Sequence, residues 1–228
     1  MPNESSALES GADAGFDLDP VEIRVLGVLI EKAYLTPDSY PLSINAIVTG
    51  SNQLTAREPV MSITETEAQA AIDRLMARRL VSRRDQASAR VAKYEHLVRL
   101  RHSLPPAEQA VLATLMLRGA QTAGEIRQRC ERMHRFDDIA AVDAVLAHLA
   151  EKNPPMVASL PRAPGSKELR HAHLLGGALD LTEFGEASPA TVAGGRGRIA
   201  ELEAEVGRLR TELEALRQAF EDFRQQFV

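Results

Sequence analysis

The sequence contains very little cysteine and few aromatic residues. A single cysteine, Cys130, among 228 residues excludes an internal disulfide and is too few for a cysteine-ligated zinc site, as expected in a reducing compartment. Tryptophan is absent, and aromatic residues make up 4% of the chain. Together with 44% hydrophobic residues, this composition is typical of a helix-rich globular protein.

Long apolar runs are missing too. The longest strongly apolar run, residues 25–30, is far shorter than the roughly 20 residues that a membrane-spanning helix needs. The first 17 residues have neither the basic block nor the apolar block of a signal peptide. We therefore expect a cytoplasmic protein with no membrane partner.

The chain also lacks an overall basic excess. Its net charge is −5, and the acidic excess lies at the two ends while the middle is close to neutral. Such a chain has no domain-wide positive field of the kind that by itself indicates nucleic-acid binding. Any surface that binds nucleic acid must therefore be a local cluster of basic residues.

An internal repeat is the clearest organising feature that the sequence does contain. Asp19 followed by Pro20 is typical of a helix start, and the apolar stripe behind it returns 86 positions later, at residues 111–116. Two capped helical patterns further along have apolar stripes at residues 71–76 and 141–146, which are 70 positions apart. A duplication explains both offsets if the first copy has about sixteen additional residues around "TGSNQLTAREPVMSITE".

Each copy has three helices followed by a β-hairpin, the order of a winged helix-turn-helix domain. The sequence therefore predicts a mainly α fold with small β-hairpins (α+β), built from two tandem winged helix-turn-helix domains and a C-terminal coiled-coil helix. The expected segments are a disordered acidic tail at residues 1–17, domain 1 at 18–103, domain 2 at 104–175, a flexible linker at 176–197 and the coiled-coil helix at 198–228.

The C-terminal segment has an uninterrupted heptad seam. Apolar residues alternate at spacings of three and four, which is the pattern of a two-stranded coiled coil, and the flanking charges are complementary in a parallel pair. We predict a parallel homodimer; the alternative is a tail helix packed back on its own domains. The seam consists of Ile199, Leu202, Val206, Leu209, Leu213, Leu216, Phe220, Phe223 and Phe227.

Several long blocks of the sequence match a known bacterial family. They are "LGVLIEK", "TPDSYPLSINAIVTGSNQ", "REPVMSITE", "VAKYEH", "LMLRGAQTAGEIRQR" and "GSKELRHAHLL". Over about residues 18–175 the chain resembles the YceH family. The resemblance implies a tandem winged-helix fold with a coiled-coil tail. It implies no catalytic or binding residues, because no activity is established for that family.

A local basic cluster lies at the end of the third helix and along the first hairpin. Twenty residues here contain seven basic residues and only one acidic residue, Asp85, and such clusters bind phosphates. The alternative is a solvated surface whose charges stabilise the helix C-terminus. On the outer face of the same helix, Gln69 has a side chain suited to a base edge. The predicted DNA contacts are Gln69, Arg74, Arg78, Arg79, Arg83, Arg84, Arg90 and Lys93.

The stretch at residues 49–65 joins the second and third helices of the first copy. It contains three further polar side chains, those of Asn52, Gln53 and Arg57. They are predicted either to hold this turn in place by bonding to neighbouring backbone or to contact DNA beside the recognition helix.

These patterns favour a DNA-associated, transcription-regulator-like dimer with double-stranded DNA as partner. The alternative is a protein-interaction adaptor, because the outer faces of both third helices carry acidic and small residues, and carboxylates repel phosphates.

The sequence predicts a non-enzymatic protein with no catalytic residue, cofactor or metal site. Cys130 with His134, and His171 with His173, could share a face, yet the two pairs lack the spacing of a metal site. A Ser/His/Asp order, a phosphate-binding glycine loop and a dinucleotide fingerprint are all absent from the sequence.

Overall fold

The structure is a computed structural model, and it describes residues 16–84, 91–161, 168–177 and Arg208. These residues form a mixed α/β fold with seven α-helices and two small antiparallel sheets. The predicted acidic tail up to residue 15, the candidate contact Arg90, most of the predicted linker and the whole heptad seam from Ile199 to Phe227 lie outside the described residues.

The described residues of the first repeat form four helices and three strands. They are α1 (Pro20–Leu35), β1 (Leu42–Ser43), α2 (Ile44–Ser51), α3 (Glu65–Ala77), β2 (Val81–Arg84), β3 (Lys93–His96) and the short α4 (Val98–His102), with a 3-10 turn at Pro37–Ser39. The second repeat contains α5 (Pro106–Arg118), β4 (Gln121–Thr122), α6 (Ala123–Cys130), α7 (Ile139–Glu151), β5 (Val157–Ser159) and β6 (Arg170–His173).

The helices begin where the capping residues predict. The Asp19 side chain accepts hydrogen bonds from two backbone amides of the first turn of α1. Thr64 with Glu67 and Thr122 with Glu125 form capping boxes at α3 and α6. These predicted starts are confirmed, and they show that local side-chain chemistry sets the helix boundaries.

Both sheets have the same topology. The strand orders are β1-β3-β2 and β4-β6-β5, and every pairing is antiparallel. In the hairpins, Val81 pairs with His96 and Val157 pairs with His173. Each predicted hairpin is thus completed to three strands by a two-residue strand that directly precedes the second helix of its repeat.

The two repeats pack together through α1 and α5, and they fall into one compact unit with a continuous core. A Cβ atom at Gly27 of α1 would lie 3.0 Å from Leu117 Cδ2, so the two helices are in close contact at this position. Backbone bonds add to the contact: the amide of Leu18 donates to the carbonyl of Leu175 at 2.8 Å, and that of Glu58 donates to Leu117 at 2.8 Å.

The third helices of the two repeats are related by 74 positions, and the offset of 70 inferred from the sequence was wrong. The caps Thr64 and Asp138 are equivalent, as are the buried residues Ile72 and Leu146. The difference of four positions is about one helical turn. It arose because alanine and valine fall on the buried stripe in either register.

The first repeat is therefore longer by less than the sequence comparison indicated. The turn between α2 and α3 spans residues 52–64, whereas the turn between α6 and α7 spans residues 131–138. Much of the remaining difference precedes α2, in the longer helix α1 and the 3-10 turn that follows it. Within the described part of the chain, no helix combines the length and apolar character needed to cross a bilayer.

Candidate interaction surface

The predicted contacts at the end of α3 point back to their own repeat. Arg74 Nη2 donates to Asp19 Oδ2 at 2.5 Å, and its Nε donates to Glu22 Oε1 at 3.2 Å. Arg78 donates to the backbone carbonyls of Phe16 and Asp17, at 2.5 and 3.2 Å. Both guanidinium groups therefore bind the residues around the start of α1.

The same arrangement recurs in the second repeat. Glu22 and Glu108 are equivalent residues of α1 and α5, and both carboxylates are buried at 2% and 3% exposure. Glu22 contacts Arg74 and Arg78, while Glu108 contacts the residues 74 positions after them, His148 and Lys152. The Nζ of Lys152 lies 3.1 Å from Glu108 Oε2.

This repeated ion-pair cluster defines a structural role for the bases at the ends of both third helices. A buried carboxylate needs a nearby cation or donors, since an uncompensated buried charge is strongly destabilising. The cluster cannot be recognised in the sequence, because its acids and bases are 52 or more positions apart in the first repeat. The only available signal was the equivalent position of the two glutamates in the repeat.

The predicted contacts on the first hairpin are more exposed. Arg84 Nε lies 2.7 Å from Glu95 Oε1, and the Arg84 side chain is 64% exposed. Arg79 and Arg83 are also exposed, and Lys93 is half-buried. Arg79 has a left-handed backbone, with φ of 58°. The hairpin and the residues leading into it therefore carry four of the predicted contacts, and Arg84 lies directly opposite Lys93 in the sheet.

The Gln69 amide is engaged by neighbours on both sides. Its Nε2 donates to Asp73 Oδ1 at 2.9 Å, and its Oε1 accepts from the Tyr94 hydroxyl at 3.2 Å. An amide held in this way has to exchange those bonds before it can bind a base edge.

The outer face of α3 carries exposed carboxylates, and the outer face of α7 carries exposed small residues. On α3 the exposed acids are Glu65, Glu67 and Asp73. On α7 the exposed residues of this face are Ile139, Ala140, Asp143, Ala144 and Ala147, and Ile139 is 48% exposed. The basic side chains of these two faces are already in contact with Glu22 or Glu108.

Two of the three polar side chains predicted in the turn at residues 52–64 hold that turn in place. Asn52 bonds to both backbone groups of Ile63: its Nδ2 donates to the carbonyl and its Oδ1 accepts from the amide, each at 2.8 Å. Arg57, at 4% exposure, donates to the carbonyls of Gly50 and Ala56 at 3.0 and 2.9 Å. These contacts are those of the structural alternative.

Two side chains of α1, Arg24 and Glu31, also hold this turn; together with Asn52 and Arg57 they form what we call the clamp. Arg24 donates to the carbonyls of Ser51 and Pro59, at 3.0 and 2.6 Å. Glu31 receives Arg57 in a two-bond contact, with Nη1 to Oε1 at 3.1 Å and Nη2 to Oε2 at 2.7 Å. Burial alone raises the pKa of Glu31, but the hydrogen bonds and charge of Arg57, together with Lys32, outweigh it and lower the pKa.

Gln53, the third of these side chains, lies beside Leu54 at the exposed crest of the turn. Leu54 is 81% exposed, and Gln53 is half-buried. Both line a groove between the repeats rather than the edge that carries the basic hairpin.

The residues considered for metal binding have separate surroundings. Cys130 is buried, its Sγ donates to the carbonyl of Ala110 at 3.3 Å, and burial raises the pKa of its thiol to about 11. His134 packs edge-on against Phe136, and His171 Nδ1 lies 3.2 Å from Ser159 Oγ. The described residues contain no group of three His, Cys, Asp or Glu side chains placed to hold a metal ion.

Comparison with known proteins assigns the chain to a family. A family model described as "Protein of unknown function, DUF480" matches residues 18–166. A UPF0502 protein of Azoarcus sp. (strain BH72) is 73% identical over 217 residues, which cover 94% of this chain and 96% of that protein. A UPF0502 protein of Geobacter sulfurreducens (strain ATCC 51573 / DSM 12127 / PCA) is 48% identical over 215 residues, covering 92% and 98%. The chain therefore belongs to the DUF480 family of bacterial proteins, in agreement with its YceH-like sequence blocks.

Proposed function

We propose that this chain is a non-enzymatic tandem winged-helix protein that acts as a protein-interaction adaptor and dimerises through its C-terminal heptad seam. The winged-helix assignment is supported by the element order in each repeat, which is helix, short strand, helix, helix and then a two-stranded hairpin. DNA association, which the sequence patterns favoured, becomes the second candidate.

The observation that carries the adaptor proposal is the charge of the third helices. In a DNA-binding winged-helix domain, the outer face of the third helix presents basic and amide side chains to the major groove. Here the outer face of α3 presents carboxylates, and its arginines Arg74 and Arg78 are drawn back to the start of α1. At the end of α7, His148 and Lys152 are held in the same way by Glu108.

The α7 outer face also suggests the chemistry of the partner. Three exposed alanines and Ile139 form a shallow apolar strip with Asp143 in the same face. Small side chains allow close approach of a partner backbone, and an acid inside the strip favours a basic group opposite it. The partner proposed is therefore a protein surface with an apolar contact next to lysine or arginine.

The second candidate, DNA association, is favoured by the first hairpin. Arg79, Arg83, Arg84 and Lys93 lie on the first hairpin or just before it, and basic side chains on such a hairpin bind phosphates without reading the base sequence. In this case the hairpin, and not the third helix, makes the principal contact.

Site-specific photocrosslinking tests the adaptor proposal. A photoreactive residue at Ala144 is expected to capture a protein that the same residue at Ser39, an exposed position of the 3-10 turn, does not capture. The captured protein is then purified and titrated with the wild type and with Asp143→Arg. We expect Asp143→Arg to weaken binding by about tenfold, since it opposes the basic group of the partner.

A DNA-binding measurement separates the two candidates. Fluorescence anisotropy with random duplex DNA at about 50 and about 200 mM salt is expected to reveal no salt-sensitive binding at micromolar protein. Salt-sensitive binding that disappears when Arg83 and Arg84 are both replaced by Glu replaces the adaptor proposal with the DNA candidate. Equal capture at Ala144 and Ser39 also overturns the adaptor proposal.

A further inference from the structure

A polar groove lies where the two repeats meet, beneath the turn at residues 52–64. Its walls come from the ends of three helices, α1, α5 and α6, and from the crest of the turn. Its volume is about 370 Å³, which is within the size range of small-molecule sites, roughly 300–1,000 Å³.

The groove collects more positive charge than its acids balance. Four cations line it, Lys32, Arg118, Arg129 and Arg132, together with one acid, Glu31. Glu31 is already shared by Lys32, at 3.2 Å, and by Arg57 behind the wall, at 2.7 Å.

The remaining arginines differ in how well they are paired. Arg129 Nη2 lies 3.4 Å from Glu125 Oε1, on the preceding turn of α6. The side chains of the half-buried Arg118 and the exposed Arg132 form no ion pair or hydrogen bond with another residue that the structure describes. Two guanidinium groups, each with donors arranged for an oxyanion, are thus available in the groove.

Electrostatics supports the same view of Arg118. Burial lowers its pKa, the charge of Arg129 lowers it further, and Glu31 acts in the opposite direction. Glu31 is the one acid that lines the groove, and Lys32 and Arg57 already contact it, so an anion bound beside Arg118 relieves the repulsion among the cations.

Apolar side chains complete the lining. Leu35, Leu54, Leu117 and Met133 contribute aliphatic surface, while Gln53 and Thr55 add uncharged polar groups at the crest of the turn. The lining thus places aliphatic surface beside a group of cations, which suits a ligand with an anionic end and an apolar remainder.

We infer that this groove binds a small organic phosphate, with the phosphate held by Arg118 and Arg132 and the apolar part of the ligand against the leucines and Met133. This site goes beyond the proposed adaptor function and does not depend on it, because it lies away from the outer faces of α3 and α7. The turn at residues 52–64 then has a ligand-binding crest as well as a clamped base.

The inference is tested with three probes at constant ionic strength: phenyl phosphate, inorganic phosphate and neutral benzyl alcohol. Phenyl phosphate is expected to raise the Tm of the full chain by about 3–6 °C at a concentration tenfold above its Kd, as measured by differential scanning calorimetry. Inorganic phosphate is expected to give a smaller rise, and benzyl alcohol none.

Matched variants identify the groove as the source of the response. Arg118→Gln and Arg132→Gln are each expected to reduce the response to phenyl phosphate at least about tenfold in Kd, by isothermal titration calorimetry, because each removes a charged phosphate donor. Arg84→Gln, which removes an exposed arginine of the hairpin, is the control and keeps the wild-type Kd. Without ligand, Arg118→Gln is expected to keep or raise the wild-type Tm, which excludes a merely structural role for this arginine.

Three outcomes overturn the inference. They are no response of the wild type to phenyl phosphate, a response that both groove variants retain, and an equal response to benzyl alcohol. Because Arg132 is exposed, its replacement leaves the core intact and keeps the test valid even where Arg118→Gln alters folding.

Discussion

At the scale of single residues, Arg57 is the side chain that ties the turn at residues 52–64 to the core. Replacing it with alanine leaves the half of the turn around Ala56 without its anchor and leaves Glu31 buried with only Lys32 beside it. We expect Arg57→Ala to lower the free energy of unfolding by about 3–5 kcal/mol, the usual cost of breaking a buried ion pair. Urea denaturation followed by circular dichroism measures this change.

The matched control for Arg57 is Arg84→Ala, because Arg84 is also in an ion pair but is mostly exposed. That change is expected to cost less than about 1 kcal/mol. Equal stabilities for the two variants contradict the clamp. An Arg57→Ala protein of unchanged stability that binds DNA less well assigns Arg57 to a contact instead.

Two equivalent histidines at the ends of the hairpins make stability depend on pH. Burial lowers the pKa of both His96 and His173 from 6.5 to about 4. Between these values the unfolded chain binds protons that the folded chain does not, so the folded state loses stability as the pH falls from about 6.5 towards 4. The loss is at most about 3 kcal/mol per histidine.

The measurement compares wild type with the double variant His96→Gln, His173→Gln. Free energies of unfolding are determined by urea titration at several pH values between 4 and 7. We expect the wild-type curve to fall more steeply with decreasing pH than the curve of the double variant. Parallel curves show that the two imidazoles are protonated equally in both states.

At the scale of elements, the contact between α1 and α5 depends on Gly27. A Cβ atom there would lie 3.0 Å from Leu117 Cδ2 and 3.3 Å from Met116 Cβ, and Leu117 is itself buried. We expect Gly27→Val to destabilise the fold by about 1–3 kcal/mol through overpacking. Hydrogen exchange of α1 and α5 amides, which is expected to become faster in both helices, locates the effect.

Gly124 provides the control for this prediction. It also lies inside a helix, α6, but a Cβ atom there would meet only Thr122 Oγ1, at 3.9 Å. Gly124→Ala is expected to leave stability unchanged or to raise it by about 0.4–1 kcal/mol, since alanine restricts the unfolded chain. Equal losses in both variants contradict the close contact at Gly27 as the cause.

The sequence predicts the elements well wherever the signal is local. Capping boxes such as Thr64 with Glu67 and the apolar stripe of α1 act through spacings of three or four residues, so they can be recognised without the structure. The strands Leu42–Ser43 and Gln121–Thr122 were missed because two residues have no periodicity. The helix Val98–His102 was missed because it has no side-chain cap.

The candidate site is less predictable from sequence than the elements. Clustered arginines such as Arg74 and Arg78 resemble phosphate contacts in the sequence, but their partners lie more than 50 positions away, at the start of α1. The same is true of the groove, since Arg118 and the turn at residues 52–64 belong to different repeats. Pairings between distant segments follow from the packing of α1 on α5, which no local spacing encodes.

At the scale of the whole molecule, the C-terminal heptad seam sets the expected oligomeric state. Its residues lie outside those that the structure describes, and the dimer remains a prediction from the sequence. Multi-angle light scattering of the full chain is expected to give about twice the 24.9 kDa mass of one chain, whereas a chain ending at residue 197 gives the mass of a monomer. An equal number of chains in both proteins contradicts the predicted coiled coil.

The ion-pair clusters of Glu22 and Glu108 have a consequence for how variants of this protein are interpreted. Each glutamate shares its charge with two bases of the third helix, so the effect of changing one member depends on the others. A charge reversal at Arg74 or Lys152 therefore perturbs folding and surface charge at the same time. Genetic suppressors of such a substitution are as apt to arise in the first helix of the repeat as in any partner, and the two origins are separated only by measuring stability beside binding.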